Sequence, residues 1–257
     1  MIKLVYVITR RADLSPAQFY EHWLKSHAPL VAQQAKALRL RKYVQSHLVD
    51  GPANEGMRAV RGMLPPVDGI TEVWWDSLAD LAAAYETPEG AASGRILSED
   101  EARFIDFSKS QVFLTEEHLI FDHTDGKGPG PDALKVTYLL TRRNGMSQKD
   151  CHRTWLADHG PLVASFAGVL HMKKYVQSHT IAPEWNADVQ AAGFAAPLDG
   201  ITEVWIDSRA DLERGGETEA GRNASMALVE DERRFVEMGA SRCFLTKEHL
   251  IFDHTAE

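Results

Sequence analysis

A histidine and a tyrosine stand in a fixed arrangement that occurs twice in this sequence. His27 lies in Trp23-Leu-Lys-Ser-His-Ala-Pro-Leu-Val31, and Tyr43 follows in Lys42-Tyr-Val-Gln-Ser-His47. The order returns as Trp155-Leu-Ala-Asp-His-Gly-Pro-Leu-Val163, with His159, and Lys174-Tyr-Val-Gln-Ser-His179, with Tyr175. A neutral imidazole near pH 7 takes a proton from an acidic carbon or hydroxyl and returns it elsewhere. A tyrosine hydroxyl donates a hydrogen bond to an enolate or phenolate oxygen as its charge develops. The plain alternatives are a histidine that satisfies carbonyls at a helix end and a tyrosine whose ring simply packs.

Glu72 and Glu203 complete the candidate catalytic set. They sit in the apolar runs Ile70-Thr-Glu-Val-Trp-Trp75 and Ile201-Thr-Glu-Val-Trp-Ile206. A buried carboxyl keeps its proton unless it is paired, which suits a general acid or a group that sets the state of the histidine. A structural ion pair with Arg10, Arg11 or their copies is the competing reading. His47 and His179 lie four residues beyond the tyrosines on the same strand face, about 13 Å away by strand rise. They are candidates to bind a long substrate, or mark a strand's solvated end. Trp23, Trp74, Trp155 and Trp205 are candidate pocket walls or core.

His118 and His123, with their copies His249 and His254, invite a metal reading. A spacing of five on a strand sends the two side chains to opposite faces, so neither pair chelates one ion. No glycine-rich phosphate fingerprint follows a strand. The expectation is therefore no metal and no cofactor. Asp68 and Asp199 read as turn formers. Cys151 and Cys243 correspond to Phe19 and Val112 in the other copy, so they read as buried small hydrophobes.

These groups need elements to position them. Lys3 to Thr9 alternates and is rich in Val, Ile and Tyr, which predicts a strand. Ser15 with Pro16 predicts a helix start, and Phe19, Trp23 and Leu24 line one face of that helix. Pro29 should end or kink it, as should Pro161. Arg39 to Leu48 is a second strand, with Tyr43, Gln45 and His47 on one face. Residues 49–67 read as a long loop that forms a lid or pocket wall. Ile70 to Trp75 is a third strand, with Ile70, Glu72 and Trp74 on one face. Leu78 to Tyr85 is a helix after the Asp76-Ser77 cap. Glu99 to Ser108 reads as a further helical piece, and Gln111 to Phe121 as a fourth strand.

The whole unit is duplicated. Residues 3–48 match 135–180 with 21 of 46 identical, 68–81 match 199–212 with 12 of 14, and 113–124 match 244–255 with 11 of 12. A period above 130 residues is domain duplication, not a solenoid. Asp125-Gly-Lys-Gly-Pro-Gly-Pro131 forbids regular structure and marks the boundary, giving domains 1–125 and 126–257. Each copy reads β-α-β-β-α-β, the ferredoxin-like split βαβ motif. The fold class is thus α+β: two tandem ferredoxin-like repeats with antiparallel sheets and helices on one face. The bare face of each sheet needs a cover, and the other copy supplies it. This predicts an intramolecular pseudo-dimer closing an eight-stranded barrel, with pairing between two chains as the other arrangement. A pocket between sheet and helices is the expected site.

Composition narrows the partners. The chain of 257 residues is 44% hydrophobic and carries a formal net charge of −9, which fits a globular protein and disfavours nucleic acid and anionic membranes. No apolar run approaches the ~20 residues of a membrane span. Met1-Ile-Lys-Leu-Val-Tyr alternates like a strand and lacks a signal-peptide layout, so a cytoplasmic protein with a small-molecule substrate is expected.

The Trp-x3-His-x-Pro-Leu segment, the Lys-Tyr after it, the Asp-Gly-Ile-Thr-Glu-Val-Trp strand and the closing Phe-Leu-Thr-x-Glu-His together resemble the EthD-domain family of the dimeric α+β barrel superfamily. The resemblance covers nearly the whole chain, twice. Its relatives include methylmuconolactone methylisomerase, and that resemblance carries over best at His27 and Tyr43, and at His159 and Tyr175. Glu72 and Glu203 then stand for that enzyme's strand-three acid. What the resemblance implies is a lyase or isomerase that works without metal or organic cofactor on a small oxygenated aromatic, lactone or polyketide-like compound. Relatives on the wider fold also imply two alternatives: a cofactor-free monooxygenase, and a non-catalytic binding protein. Identical His, Tyr and Glu in both copies favour two working sites.

Overall fold

The structure, a computed structural model, describes residues 1–256. The first repeat runs β1 (Ile2–Ile8), α1 (Pro16–His22), a π-helical turn (Trp23–His27), α2 (Ala28–Gln34), β2 (Lys42–Leu48), α3 (Pro52–Arg61), β3 (Gly69–Trp75), α4 (Leu78–Glu86), α5 (Pro88–Glu101) and β4 (Gln111–Asp122). The second repeats it as β5 (Leu134–Leu140), α6 (Gln148–Thr154), a π turn (Trp155–His159), α7 (Gly160–Phe166), β6 (Met172–Thr180), α8 (Pro183–Ala191), β7 (Gly200–Ile206), α9 (Arg209–Glu217), α10 (Glu219–Glu232) and β8 (Arg242–Asp253). Local chemistry explains the helix starts. Ser15 and Gln18 form a reciprocal capping box around Pro16. The Ser77 and Thr87 hydroxyls accept from the N–H groups of Asp80 and Gly90 and open α4 and α5. Among the described residues no helix is long and apolar enough to cross a membrane.

The eight strands close into one antiparallel barrel in the order β1-β3-β2-β8-β5-β7-β6-β4. Two seams, β2 with β8 and β4 with β6, join the repeats, so the barrel closes within one chain. Closure leaves no free sheet edge. Register decides which residues share a face. Tyr43 lies opposite Val73 and Gln45 opposite Thr71, facing outward to the helices. Val44 lies opposite Glu72 and Ser46 opposite Ile70, facing the barrel interior.

One end of the interior is apolar, filled by Val5, Val7, Ile70 and Phe113 against Leu139, Ile201 and Phe244. The other end is charged. The Lys3 ammonium lies 3.2 Å from Glu72, 2.5 Å from Glu203 and 3.0 Å from Glu117. Lys135 lies 2.7 Å from Glu72, 2.5 Å from Glu203 and 3.0 Å from Glu248. Burial alone would drive both lysines toward neutrality, but this ring of carboxylates more than offsets it and holds them charged.

The outer helices sit tightly on the sheet. A Cβ at Gly69 would lie 2.6 Å from the Trp23 ring and 2.8 Å from the Ser46 carbonyl. Gly200 meets Trp155 and Ser178 in the same way. Glycine is therefore what lets each tryptophan, and the π turn that carries it, reach the strand.

Three expectations change. Residues 49–67 are not a structureless loop: Gly51-Pro52 opens helix α3 and Gly62, in the left-handed region, closes it. Residues 99–108 are mostly not helical, because α5 ends at Glu101 and only a short 3₁₀ turn follows at Phe107–Lys109. Pro29 neither ends nor breaks its helix. It falls in the first turn of α2, and the preceding π turn absorbs the mismatch.

Candidate active site

A cavity of about 220 Å³ lies between the outer face of the first repeat's strands and its helices. Trp23, His27, Tyr43, Trp75, Tyr85 and Glu101 face it, with Tyr6 from β1 and Trp185, Val189 and Phe194 from the second repeat. Among the described residues no lysine or arginine lines it.

His27, at the end of the π turn, is buried. Its Nδ1 lies 2.9 Å from Asp100 Oδ2. His22 Nε2 lies 3.1 Å from both oxygens of the same carboxyl. Burial would raise Asp100, but the hydrogen bonds from His27 and His22 hold its carboxyl below the usual range. Asp100 is thus an ionised acceptor, so Nδ1 of His27 carries the proton and Nε2 keeps its lone pair. Burial pushes His27 down, with Asp100 offsetting part of the shift. Its Nε2 lies 3.9 Å from Glu101 Oε1. Glu101 lines the cavity and is partly exposed, with 21% of its side chain accessible. Burial, and then the neighbouring Asp100, push its carboxyl up to about 8.

Two hydroxyls face the same space. The Tyr43 oxygen accepts from Gln45 Nε2 at 2.7 Å, and that amide also donates to the Trp23 carbonyl at 2.9 Å. The Thr71 side chain is a further hydrogen-bonding neighbour of this hydroxyl, and burial drives its pKa well up. The Tyr6 hydroxyl is buried without a hydrogen-bond partner among the described residues. Such a donor is costly unless something fills the cavity beside it.

The structure places the residues singled out in the sequence as follows. His27, Tyr43 and Trp23 meet at the first cavity, and His159, Tyr175 and Trp155 at its counterpart. Glu72 and Glu203 do not join them. They point into the barrel interior on the opposite face of the sheet, bound to Lys3 and Lys135 rather than to Arg10 or Arg11. The groups that hold the histidines are instead Asp100 and, at 2.8 Å from His159 Nδ1, Asp231. Trp74 and Trp205 are also interior, and their indole N–H groups donate to Glu117 and Glu248 at 2.7 Å. His47 and His179 share the tyrosines' face but lie outside the cavities. Each ring stacks on a tryptophan at 4.5 Å and binds Gln45 or Gln177 at 3.0 Å. Burial pushes His47 down to about 3, so it is a neutral brace for Gln45 and, through it, for Tyr43.

The two cavities are unequal. The second repeat's is only about 40 Å³. Arg61, from α3 of the first repeat, reaches two of the residues that line it, Glu232 and Tyr138. Its guanidinium binds Glu232 at 2.7 and 3.0 Å and lies 5.2 Å from the Tyr138 ring centroid. Identical His, Tyr and Glu do not therefore give two equivalent sites.

Glu72, Glu203 and Glu248 bring carboxylate oxygens within 4.8 Å of one another, a spacing that suits a cation. The ammonium groups of Lys3 and Lys135 already pair with that cluster.

A closed antiparallel barrel made of two βαββαβ units, with helices outside and a pocket beneath them, defines a dimeric α+β barrel protein fused into one chain. The EthD domain profile matches residues 11–108 and 143–239, and the chain belongs to that family. Curated protein sequences give no match. Among solved structures, an anthrone oxidase-like protein is similar over 98% of this chain and 94% of its own, at 15% identity and a TM-score of 0.57. A protein described as a candidate monooxygenase from Lactobacillus acidophilus NCFM matches over 97% and 94%, at 9% identity and a TM-score of 0.50. Another so described, from Fusobacterium nucleatum, matches over 98% and 92%, at 3% identity and a TM-score of 0.50. Identities this low show a shared fold alone.

Proposed function

We propose that the first repeat's cavity is a cofactor-independent acid/base site, that of a lyase or isomerase acting on a small, largely apolar oxygenated compound. The observation that carries this is the His27–Glu101 pair. Two titratable groups face one cavity at 3.9 Å, and their surroundings push them in opposite directions. Near pH 7 the imidazole is a free base and the carboxyl a retained acid, the division of labour that acid/base enzymes use. His27 Nε2 takes the proton from an activated carbon or a phenolic hydroxyl. Tyr43 and Tyr6 donate to the oxygen on which charge builds. Glu101 delivers a proton to a second atom, and exchange with His27 resets the pair. Asp100 acts as a positioning residue.

The cavity walls support a neutral substrate. Among the described residues no lysine or arginine faces an anion there, and a carboxylate would meet Glu101. Phenols, enolisable ketones and unsaturated lactones fit better than free acids. An oxygen-dependent reading stays beside this one, because a base that makes an enolate or phenolate in an apolar pocket also prepares it for dioxygen. The names of the fold neighbours put that reaction on the list to test.

Turnover of such a panel, followed by mass spectrometry with EDTA and with or without oxygen, tests both readings against His27→Ala. Conversion that survives EDTA and anoxia and is lost in the variant supports the acid/base enzyme. Conversion only with oxygen selects the monooxygenase. Equal conversion by the variant sinks the proposed role of His27, and binding without conversion favours a carrier.

A further inference from the structure

We propose that the second repeat holds a latent copy of this site, kept shut in cis by Arg61, so that each chain offers one working pocket. The inference rests on the reading of the first cavity as a ligand site. The acid/base groups have their counterparts: Trp155, His159, Asp231, Tyr175 and Glu232 stand where the first repeat has Trp23, His27, Asp100, Tyr43 and Glu101, while Trp75, Tyr85 and His22 give way to Ile206, Gly216 and Thr154. The histidine and aspartate keep the same hydrogen bond, 2.8 Å against 2.9 Å. The Gln177–Tyr175 contact also repeats, at 2.7 Å.

What also differs is the occupant. Arg61 is almost wholly buried, with 8% of its side chain accessible, and it takes both oxygens of Glu232. It lies over Tyr138, the counterpart of the partnerless Tyr6. The corresponding stretch of the second repeat is Ala191-Ala192-Gly193, which has no side chain able to reach Glu101. The one-residue difference in repeat offset falls in these same segments. Glu101 therefore remains free to face His27, while Glu232 is held by a guanidinium. Arg61 thus does in the second repeat what a bound ligand would do in the first: it satisfies the acid and covers the tyrosine ring.

The test is phenol binding, in crystals and in solution, to the full-length chain. The wild type should take one phenol, beside His27. Arg61→Ala should take two, the second beside His159. Because that variant strands a buried carboxylate, Arg61→Ala with Glu232→Gln is made in parallel and should also take two. Two phenols in the wild type, or one in both well-folded variants, would overturn the latent site. No phenol beside His27 in any form overturns the premise of a ligand cavity and the inference with it. Once a substrate is known, Arg61→Ala placed in the inactive His27→Ala chain should restore turnover, and adding His159→Ala should abolish it. Failure of His27→Ala to lose activity would count against the proposed chemistry. Failure of Arg61→Ala to restore it, with phenol bound, would count against the second site's competence.

Discussion

Arg61 ends α3 of the first repeat, and Glu232 ends α10 of the second, 171 residues away; the guanidinium holds the carboxylate at 2.7 and 3.0 Å. Both side chains are more than nine-tenths buried. The contact is both the plug of one cavity and a clasp between the repeats. Removing one partner of such a pair leaves a charge that water no longer reaches. Arg61→Ala should lose about 3–5 kcal/mol in urea unfolding, and Arg61→Met with Glu232→Gln should recover most of it. Equal losses in the two would mean that the pair contributes attraction rather than merely avoiding a stranded charge.

The rate of the first site should follow a bell-shaped pH curve. Its acid limb belongs to His27, which must be neutral and whose pKa lies below 6.5 because of burial. Its alkaline limb belongs to Glu101, which must be protonated and sits at about 8. Glu101→Gln should remove the alkaline limb along with much of the rate. The same group links pH to stability. A carboxyl raised from 4.5 holds a proton in the folded state that the unfolded chain has lost, so its ionisation destabilises the fold as pH climbs toward about 8. Glu101→Gln should therefore gain stability relative to the wild type between pH 5 and 8, as read from thermal unfolding. A constant difference across that range would remove the raised carboxyl.

Asp100 fixes the tautomer of His27 and supports its charged form. Asp100→Asn keeps the size but loses the charge, so His27 should titrate lower still. The acid limb should move down in pH while kcat falls by on the order of 10²-fold or more, with KM changed far less. A purely structural aspartate would lower stability without moving the limb. His22, the second histidine on that carboxyl, gives a graded control, because His22→Gln removes only one of the two donors.

The repeat, the βαββαβ order of elements in each copy and an eight-stranded barrel were legible because duplication, period-two alternation and the bare sheet face constrain them. Within the site, His27, Tyr43 and Trp23 were legible because they are the polar and aromatic points shared by both copies. The acids were not. Glu72 looked right because it is an acid in an apolar strand, but a strand pattern says only that alternate residues share a face. The register that sets Tyr43 against Val73, and so turns Glu72 inward, comes from pairing between strands. Asp100 and Glu101 hid in Ser98-Glu-Asp-Glu101, which reads as a solvated helix end. A signal was present: Glu99-Asp-Glu-Ala-Arg-Phe104 returns as Glu230-Asp-Glu-Arg-Arg-Phe235 amid helices that otherwise diverge. Arg61 was invisible for the opposite reason, since it has no counterpart in the other copy.

The inward carboxylates make a last, separable prediction. Glu72 and Glu203 share the charged end of the barrel interior with Lys3 and Lys135, at the wall of a cavity of about 720 Å³, and lie across the sheet from His27. Burial and the Glu203 charge push Glu72 up to about 7. Burial acts on Glu203 too, but Lys135 and Lys3 overcome it and hold that carboxyl low. The pair therefore tends to keep one proton near neutrality. By linkage, Glu203 contributes stability that is present above about 4.5 and lost on acidification, whereas ionising Glu72 costs stability as pH rises from 4.5 toward 7. Glu72→Gln mimics the protonated form, so its stability relative to wild type should improve across that window. Lys135→Met, which leaves Glu72 and Glu203 to Lys3 alone and Glu248 without an ammonium, should cost about 3–5 kcal/mol at pH 7. Turnover tells the two faces of the sheet apart. Glu72→Gln should keep kcat within about threefold, far from the 10²–10⁴ expected for loss of an acid or base that touches substrate. A collapse of kcat in a well-folded Glu72→Gln chain would return that carboxyl to the chemistry and make the interior, not the outer cavity, the place where the reaction occurs.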